Sequence, residues 1–527
     1  MKSIPLFWHS VGRNSAPLVL LSLSACGSEA QPNGSNGANV ASIAPDPQGS
    51  CAGNTGASAL GAEADAGRNP DGPAVDGAGA PQIRIDARRS LAITEQPIVS
   101  HFSLERVLRQ LITTAGVSEL TPLALFQQWW DTQNPKPGIG PGPHCDDTVD
   151  VAGMPTLNGY PYTCRPAPAE GGQATCDPFT DPESTCSYIP IGLFMRFDAA
   201  PANGGNCGEY RIVYAKQSGR AVSSDRNLLI FEAALANPHP ELGIQGCRRF
   251  VTAWADLSKE SDIAVRTSVL EAIYFQGYQE FDPVVQWSNF GDNAAGAGQV
   301  RTNQFVQPET ARAWSLREFK IKKECPGANC TLRFIPVTDK VNPFGPLFDS
   351  ASPYPTSAAF RSEFLTKIER LAAPALDGIG MRTSDVFNSA QSQASGSTET
   401  NYLVNFGTES TEFRGQIQER LATLGSSLLP EDIVMRAQAM SCAGCHRLSS
   451  GKPIGGDLTW PASIGFTHIS ERDSDLEFVD GVTRYRISAA LIDAFLPARK
   501  QLVENYLNGL PLPPRAAADS IGANRTH

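Results

Sequence analysis

No methionine follows Met440 in this 527-residue chain, and no cysteine follows Cys445. After the N-terminal region there is no run of 18 or more apolar residues, so no transmembrane helix is expected in the body of the chain. A glycine-rich phosphate loop, an HExxH pair and a GxSxG elbow are all missing. Their absence removes the motif basis for phosphate cradling, zincin chemistry or a serine-hydrolase elbow. There is no internal repeat, which excludes solenoids and propellers. Positive charge is in deficit, with 43 Lys and Arg against 54 Asp and Glu and a net charge of -11. Nucleic acid is therefore not an expected partner.

Against these absences stands Cys442-Ala443-Gly444-Cys445-His446. Two thiols two residues apart match the spacing for covalent attachment of one porphyrin. The histidine that follows can put an imidazole nitrogen on the iron as proximal ligand. The same residues also suit a small-loop disulfide, half of a zinc site or a chance match. Zinc takes about four ligands, and the chain offers no later cysteine. The motif thus predicts one covalent haem c, with Cys442 and Cys445 as the attachment points and His446 on the metal.

The N-terminus is consistent with export. Lys2 and Arg13 make a basic start, and Ala16 to Ala25 is an apolar stretch too short to span a bilayer. Leu23-Ser24-Ala25-Cys26 resembles the lipobox of bacterial lipoproteins. The resemblance implies a signal peptide over 1–25, lipidation of Cys26 and attachment to a membrane through that lipid; an ordinary signal peptide is the other reading. Gly27, where aspartate would favour the inner membrane, points to an outer-membrane lipoprotein on the periplasmic or cell-surface side. Residues 26–81 are rich in Gly, Ala, Asn, Asp, Ser and Pro and read as a disordered tether spanning roughly 40 Å.

Cysteine usage agrees with an oxidising compartment. With Cys26, Cys442 and Cys445 set aside and Cys51 in the tether, eight remain: Cys145, Cys164, Cys176, Cys186, Cys207, Cys247, Cys325 and Cys330. An even set of this kind predicts four disulfides. Only Cys325 with Cys330, flanking Pro326-Gly327-Ala328-Asn329, is specified as a pair.

The fold class expected is α+β: a disulfide-stapled mixed domain, then an all-α cytochrome c-like domain. The first, over 82–353, carries strand-like runs at Ile189 to Phe197, Glu209 to Ala215, Leu228 to Ala233, Ser315 to Ile321 and Leu332 to Val337. Leu104 to Thr113 and Pro122 to Trp130 have helical spacing. A helical connecting region covers 354–428, interrupted by a polar stretch from Asn388 to Thr400. Residues 511–527 read as a disordered tail. His144-Cys145-Asp146-Asp147 has metal-binding residue types, but a disulfide cysteine among solvated acids explains it as well.

Over 429–510 the order is a helix starting at Pro430, the CxxCH motif, an irregular loop and a C-terminal helix ending near Gly509. About 80 residues here resemble class I cytochrome c. The resemblance implies that a downstream proline carbonyl orients the proximal imidazole, and Pro453 is the candidate. It also implies a distal methionine downstream of the motif, where this chain has none; His468 is the nearest downstream ligand, with an upstream methionine such as Met381 or an open site as alternatives and His527 at the tail a weaker one. Trp460, Arg447 and Arg436 are candidates to meet the haem edge or its propionates. From about Arg88 onward the chain also resembles exported proteobacterial proteins without an assigned activity, through phrases such as Cys207-Gly208-Glu209-Tyr210-Arg211-Ile212-Val213-Tyr214.

The expected function is electron transfer by a monohaem lipoprotein whose upstream domain docks a redox partner protein. Two alternatives stand beside it. One is a peroxidase- or oxygenase-like enzyme with an open distal site. The other is a surface binding or structural lipoprotein.

Overall fold

Eight strands form one antiparallel sheet: β1 (Ala92–Ile93), β2 (Tyr188–Arg196), β3 (Asn206–Lys216), β4 (Asn227–Ala236), β5 (Gln299–Val306), β6 (Ala313–Glu324), β7 (Thr331–Val337) and β8 (Ser392–Gln393). They run in chain order from β1 to β6, and β6 pairs with both β7 and β8 along its other edge. The computed structural model describes residues 82–165, 170–291, 298–306, 313–327, 329–394 and 399–512. The signal peptide, Cys26, the tether, the tail from 513 and His527 lie outside the described residues. No described helix is long and apolar enough to cross a membrane.

The two faces of the sheet differ because side chains alternate along each strand. One face presents Ile212, Tyr214, Phe231, Phe319 and Phe334. Helix α1 (Leu104–Ala115) and helix α2 (Pro122–Asp131) belong to the same core. Their starts are capped by Ser103 and Thr121, whose side chains accept from Arg106 N and Ala124 N, and Gly116 ends α1 at a φ of 64°. From α2, Trp129 stacks on Phe334 at 4.4 Å between centroids and meets Phe231 and Phe319 edge-on. Offset and edge-to-face pairs of this kind add to the burial energy of the rings.

The opposite face reads as a solvated one by composition, with Arg196 opposite Glu209, Arg211 opposite Glu232 and Arg301 opposite Glu318. It is buried: Glu232, Arg301 and Glu318 are at most 3 % exposed. Each charge is therefore matched. Arg211 reaches Glu209 at 2.7 Å and Glu232 at 3.1 Å, and Arg301 reaches Glu318 at 3.1 Å.

The segment after Leu429 lies against this polar face. It contains a helix at Pro430–Met440, a hairpin of β9 (Glu477–Val479) and β10 (Val482–Arg484), and a helix at Leu496–Leu507. A separate all-α domain is therefore not seen over 429–510. The hairpin interrupts it, and its last helix buries Leu502, Val503, Tyr506 and Leu507 in the core shared with the sheet. Tyr506 packs on Phe197 at 4.6 Å, and Glu504 and Asn508 accept from the backbone of Ile85 and Ile83. Residues 82–353, 354–428 and 429–510 thus share one core within one unit, without a break at the expected boundaries. Pro497 sits in the first turn of the last helix, directly after a π-helical turn at Ala490–Phe495, so it does not break the helical path there.

Four disulfides staple the upstream part: Cys145–Cys164, Cys176–Cys186, Cys207–Cys247 and the expected Cys325–Cys330. Bonding of Cys145 removes it as a metal ligand in the His144 cluster, and His144 lies 3.4 Å from Asp131 instead.

The polar face makes stability acid-sensitive. Burial raises the carboxyl of Glu209, but Arg211, Lys340 and Arg196 outweigh it and hold the group down to about 2, against 4.5 for an ordinary glutamate. A depressed carboxyl contributes stability that is present above 4.5 and lost as pH falls toward 2. Urea unfolding midpoints across this range are expected to fall steeply in the native protein and more gently in Glu209→Gln, which is weaker at neutral pH. Equally steep acid limbs would contradict the assignment.

Candidate functional site

The helix Pro430–Met440 delivers the CxxCH motif. Pro430 occupies its first turn, where no N–H is needed, and Asp432 accepts from the backbone of Leu429. The chain then turns tightly, with Cys445 N donating to the Ser441 carbonyl at 2.9 Å and a π-turn over Gly444–Leu448. Gly444 is required here: a Cβ at this position would stand 1.6 Å from the Gln438 carbonyl oxygen. Ala443 N donates to Ser392 Oγ at 2.9 Å, which ties the motif to β8.

His446 is 2 % exposed and stacks on Trp314 of β6 at 4.7 Å between ring centroids. Its Nδ1 lies 2.7 Å from the Phe466 carbonyl. A carbonyl only accepts, so Nδ1 carries the hydrogen and Nε2 is the lone-pair nitrogen. Asn303 of β5 donates to the same carbonyl at 3.4 Å and, through its side-chain oxygen, accepts from Trp314 Nε1. The carbonyl that orients the ring is thus that of Phe466, not Pro453, which is exposed and bridged to Thr459. The loop bearing Phe466 is held by Arg226, whose guanidinium pairs with Glu471 at 2.8 Å through two nitrogens and donates to Gly465 O and Thr467 Oγ1.

His468 stands on the same loop. Its Nε2 lies 3.4 Å from Cys445 Sγ, its Nδ1 2.9 Å from Ser488 Oγ, and its ring meets that of His446 edge to face at 4.7 Å. Trp460 Nε1 also donates to Cys445 Sγ at 3.4 Å. Trp460 therefore lies beside the motif. Arg447 is exposed, over the Phe466 ring at 4.7 Å, and Arg436 is committed to the carbonyls of Leu371, Ala373, Ile454 and Gly455. Met381 is buried in the main core.

Burial dominates the electrostatics. It lowers His446 to about 4 despite the Phe466 bond, and lowers His468 further with help from His446 and Arg499. Both imidazoles are neutral at pH 7, the form that binds a metal. Burial pushes the Cys445 thiol up to about 12 against the Trp460 bond, and raises Cys442 well above its usual value, with Asp339 adding to it.

His446 and His468 form part of the lining of a cavity between the polar sheet face and the C-terminal segment. Phe194, Val213, Leu228, Ile230, Ile469 and Leu491 supply its apolar wall. Asn303, Arg196, Arg211 and Arg499 join the two histidines on the polar one. The thiols stand just behind this lining, Cys445 against His468 and Cys442 against Trp314 and Leu316.

Comparison with known protein families, curated proteins and solved structures finds nothing that matches this chain. The site is therefore read from its own chemistry. Of the ten cysteines among the described residues, eight are disulfide-bonded and only Cys442 and Cys445 are free and buried. They are not bonded to each other, and no group of three or more His, Cys, Asp or Glu among the described residues is placed to hold a bare metal ion. The small-loop disulfide and zinc readings of the motif thus find no geometry here. Asn303, Trp314, Arg226, Glu471, Phe466, Arg196, Arg211 and Arg499 were not legible as site residues, because they lie on distant strands and loops with no motif spacing.

Raised thiols are slow nucleophiles, since the thiolate is the reacting form. In folded haem-free protein at pH 8, iodoacetamide should modify Cys442 and Cys445 at least ~100-fold more slowly than in urea. Mass spectrometry of the peptide carrying both residues reads the rates. Equal rates in the two states would contradict the burial of the pair.

Proposed function

We propose that this chain is an exported c-type haem protein that carries one covalent haem and transfers electrons. One observation carries the reading: the histidine of a CxxCH motif is held by a carbonyl through Nδ1, at the wall of an apolar cavity, beside the two thiols left out of the disulfide framework. Cys442 and Cys445 would hold the group, and His446 would ligate its metal through Nε2. The Phe466 carbonyl fixes the imidazole and raises its basicity. When bound, the haem supplies a one-electron couple whose potential follows axial ligation, burial and hydrogen bonding. The side chains of Leu228, Ile230 and Leu491 keep water from it. Lipid attachment at Cys26 places the protein on the outer membrane, with a redox partner protein reached from the folded unit.

A second reading, an enzyme with an open distal site, is favoured by one distance. An ion held by two imidazoles at about 2 Å per bond keeps their centroids about 6 Å apart. His446 and His468 stand 4.7 Å apart, and His468 Nε2 is against Cys445 Sγ. With Nε2 against that sulfur, His468 would reach a metal held by His446 only after its loop shifts.

Protein exported from cells that mature c-type cytochromes should show a Soret band and a mass increased by one haem. Cys442→Ser and Cys445→Ser should lose or weaken that retention while the upstream disulfides persist. A low-spin protein that refuses carbon monoxide, and gains it in His468→Ala, supports electron transfer with His468 ligation. Rapid carbon monoxide binding by the native protein supports the open-site reading. An apoprotein mass without a Soret band defeats both.

A further inference from the structure

Two arginines that line the cavity each carry one buried hydrogen-bond donor that the described residues leave unanswered. Arg196 is 1 % exposed and spends Nε and Nη2 on Asp198, at 2.9 to 3.1 Å. Its Nη1 is buried and has no acceptor among the described residues. Arg211 is 9 % exposed and spends Nη2 on Glu209, with Glu232 3.1 Å from Nη1. Its Nε is likewise buried and without an acceptor among the described residues. A buried N–H left unpaired costs about 1–3 kcal/mol, so two of them on one wall call for an explanation. Arg499 lies beside them, 3.4 Å from Asp198.

Both donors belong to residues that line the cavity, and Val213 and Leu228 of the same sheet face line it with them, together with Leu491. We infer that Arg196 and Arg211, supported by Arg499, bind the carboxylate edge of a flat apolar ligand. The assignment rests on the haem reading above and deepens it: the carboxylates are the two propionates, and the arginines that meet them come from the sheet of the upstream part and the last helix, not from the CxxCH segment. Guanidinium suits this task because it stays charged and can direct one charge-assisted N–H at a carboxylate while its other nitrogens remain on Asp198 or Glu209. The pairs with Asp198 and Glu209 hold each guanidinium in place with one further N–H directed elsewhere. The ligand then lies along the polar sheet face, and the upstream part tunes its potential.

The experiment uses the full-length protein matured with haem, and first establishes haem content by mass and Soret absorbance. Arg196→Gln and Arg211→Gln should keep the covalent haem, because the thioethers are elsewhere. Each removes a positive charge near the metal, so the ferrous form loses favour. The expected shift is about tenfold in the reduction equilibrium, a fall of roughly 59 mV for one electron. Arg196→Lys and Arg211→Lys should restore most of it. Potentials unchanged in both Gln variants overturn the inference while leaving the haem reading intact. Absence of haem from the unaltered protein defeats the underlying reading instead. If the Gln variants do not fold, the ferric-minus-ferrous infrared difference spectrum of unaltered protein grown on ¹⁵N-arginine decides. Guanidinium bands that follow the oxidation state support the contact, and their absence overturns it.

Discussion

Charge buried on one face of a sheet has to be neutralised residue by residue, and the rest of this structure is organised around that requirement. Arg196, Glu209, Arg211, Glu232, Arg301 and Glu318 stand on neighbouring strands in alternating sign. Left in water they would need no cover. Once the segment from 429 onward lies over them, each unpaired charge would cost several kcal/mol, so register between strands is no longer free to slip. A one-residue slip of β5 would carry Arg301 and Asn303 to the aromatic face and put Val300 and Thr302 among the charges. Packing on Trp129 and pairing under the C-terminal segment therefore enforce the same register from opposite sides.

The same constraint positions the candidate site. The CxxCH turn is short and cannot orient His446 alone. It borrows Trp314 and Asn303 from the sheet, and the Phe466 carbonyl from a loop clamped by Arg226 and Glu471, 245 residues apart in sequence. These supports are distributed over the whole folded chain, which explains why 429–510 packs as part of the sheet unit and not beside it.

What was legible in the sequence follows from how local each signal is. Tyr188–Arg196, Asn206–Lys216 and Asn227–Ala236 announce themselves as β-branched and aromatic runs between turn residues. The helices at Leu104–Ala115 and Glu412–Thr423 carry cap residues and apolar spacing. Strand β5 was missed because Gln299, Arg301, Asn303 and Gln304 read as surface, and β8 because it sits in a Ser-, Gln- and Thr-rich stretch whose value is one hydroxyl, that of Ser392. The motif spacing named Cys442, Cys445 and His446. It was silent on their supports, since Asn303 meets His446 across 143 residues and no periodicity connects them. Family likeness also misdirected the oriented-carbonyl assignment to Pro453, where a proline was sought and the loop supplied Phe466.

The disulfides close over separations of 5, 10, 19 and 40 residues, and the last of their cysteines is Cys330. A chain that emerges N-terminus first can thus complete every bridge more than a hundred residues before Cys442 appears. Nested or long-range pairing would have kept an upstream thiol waiting when the motif arrived, open to exchange with it. Sequential closure instead leaves Cys442 and Cys445 as the two free sulfurs among the described residues, with every cysteine described before them already paired to a near neighbour in sequence.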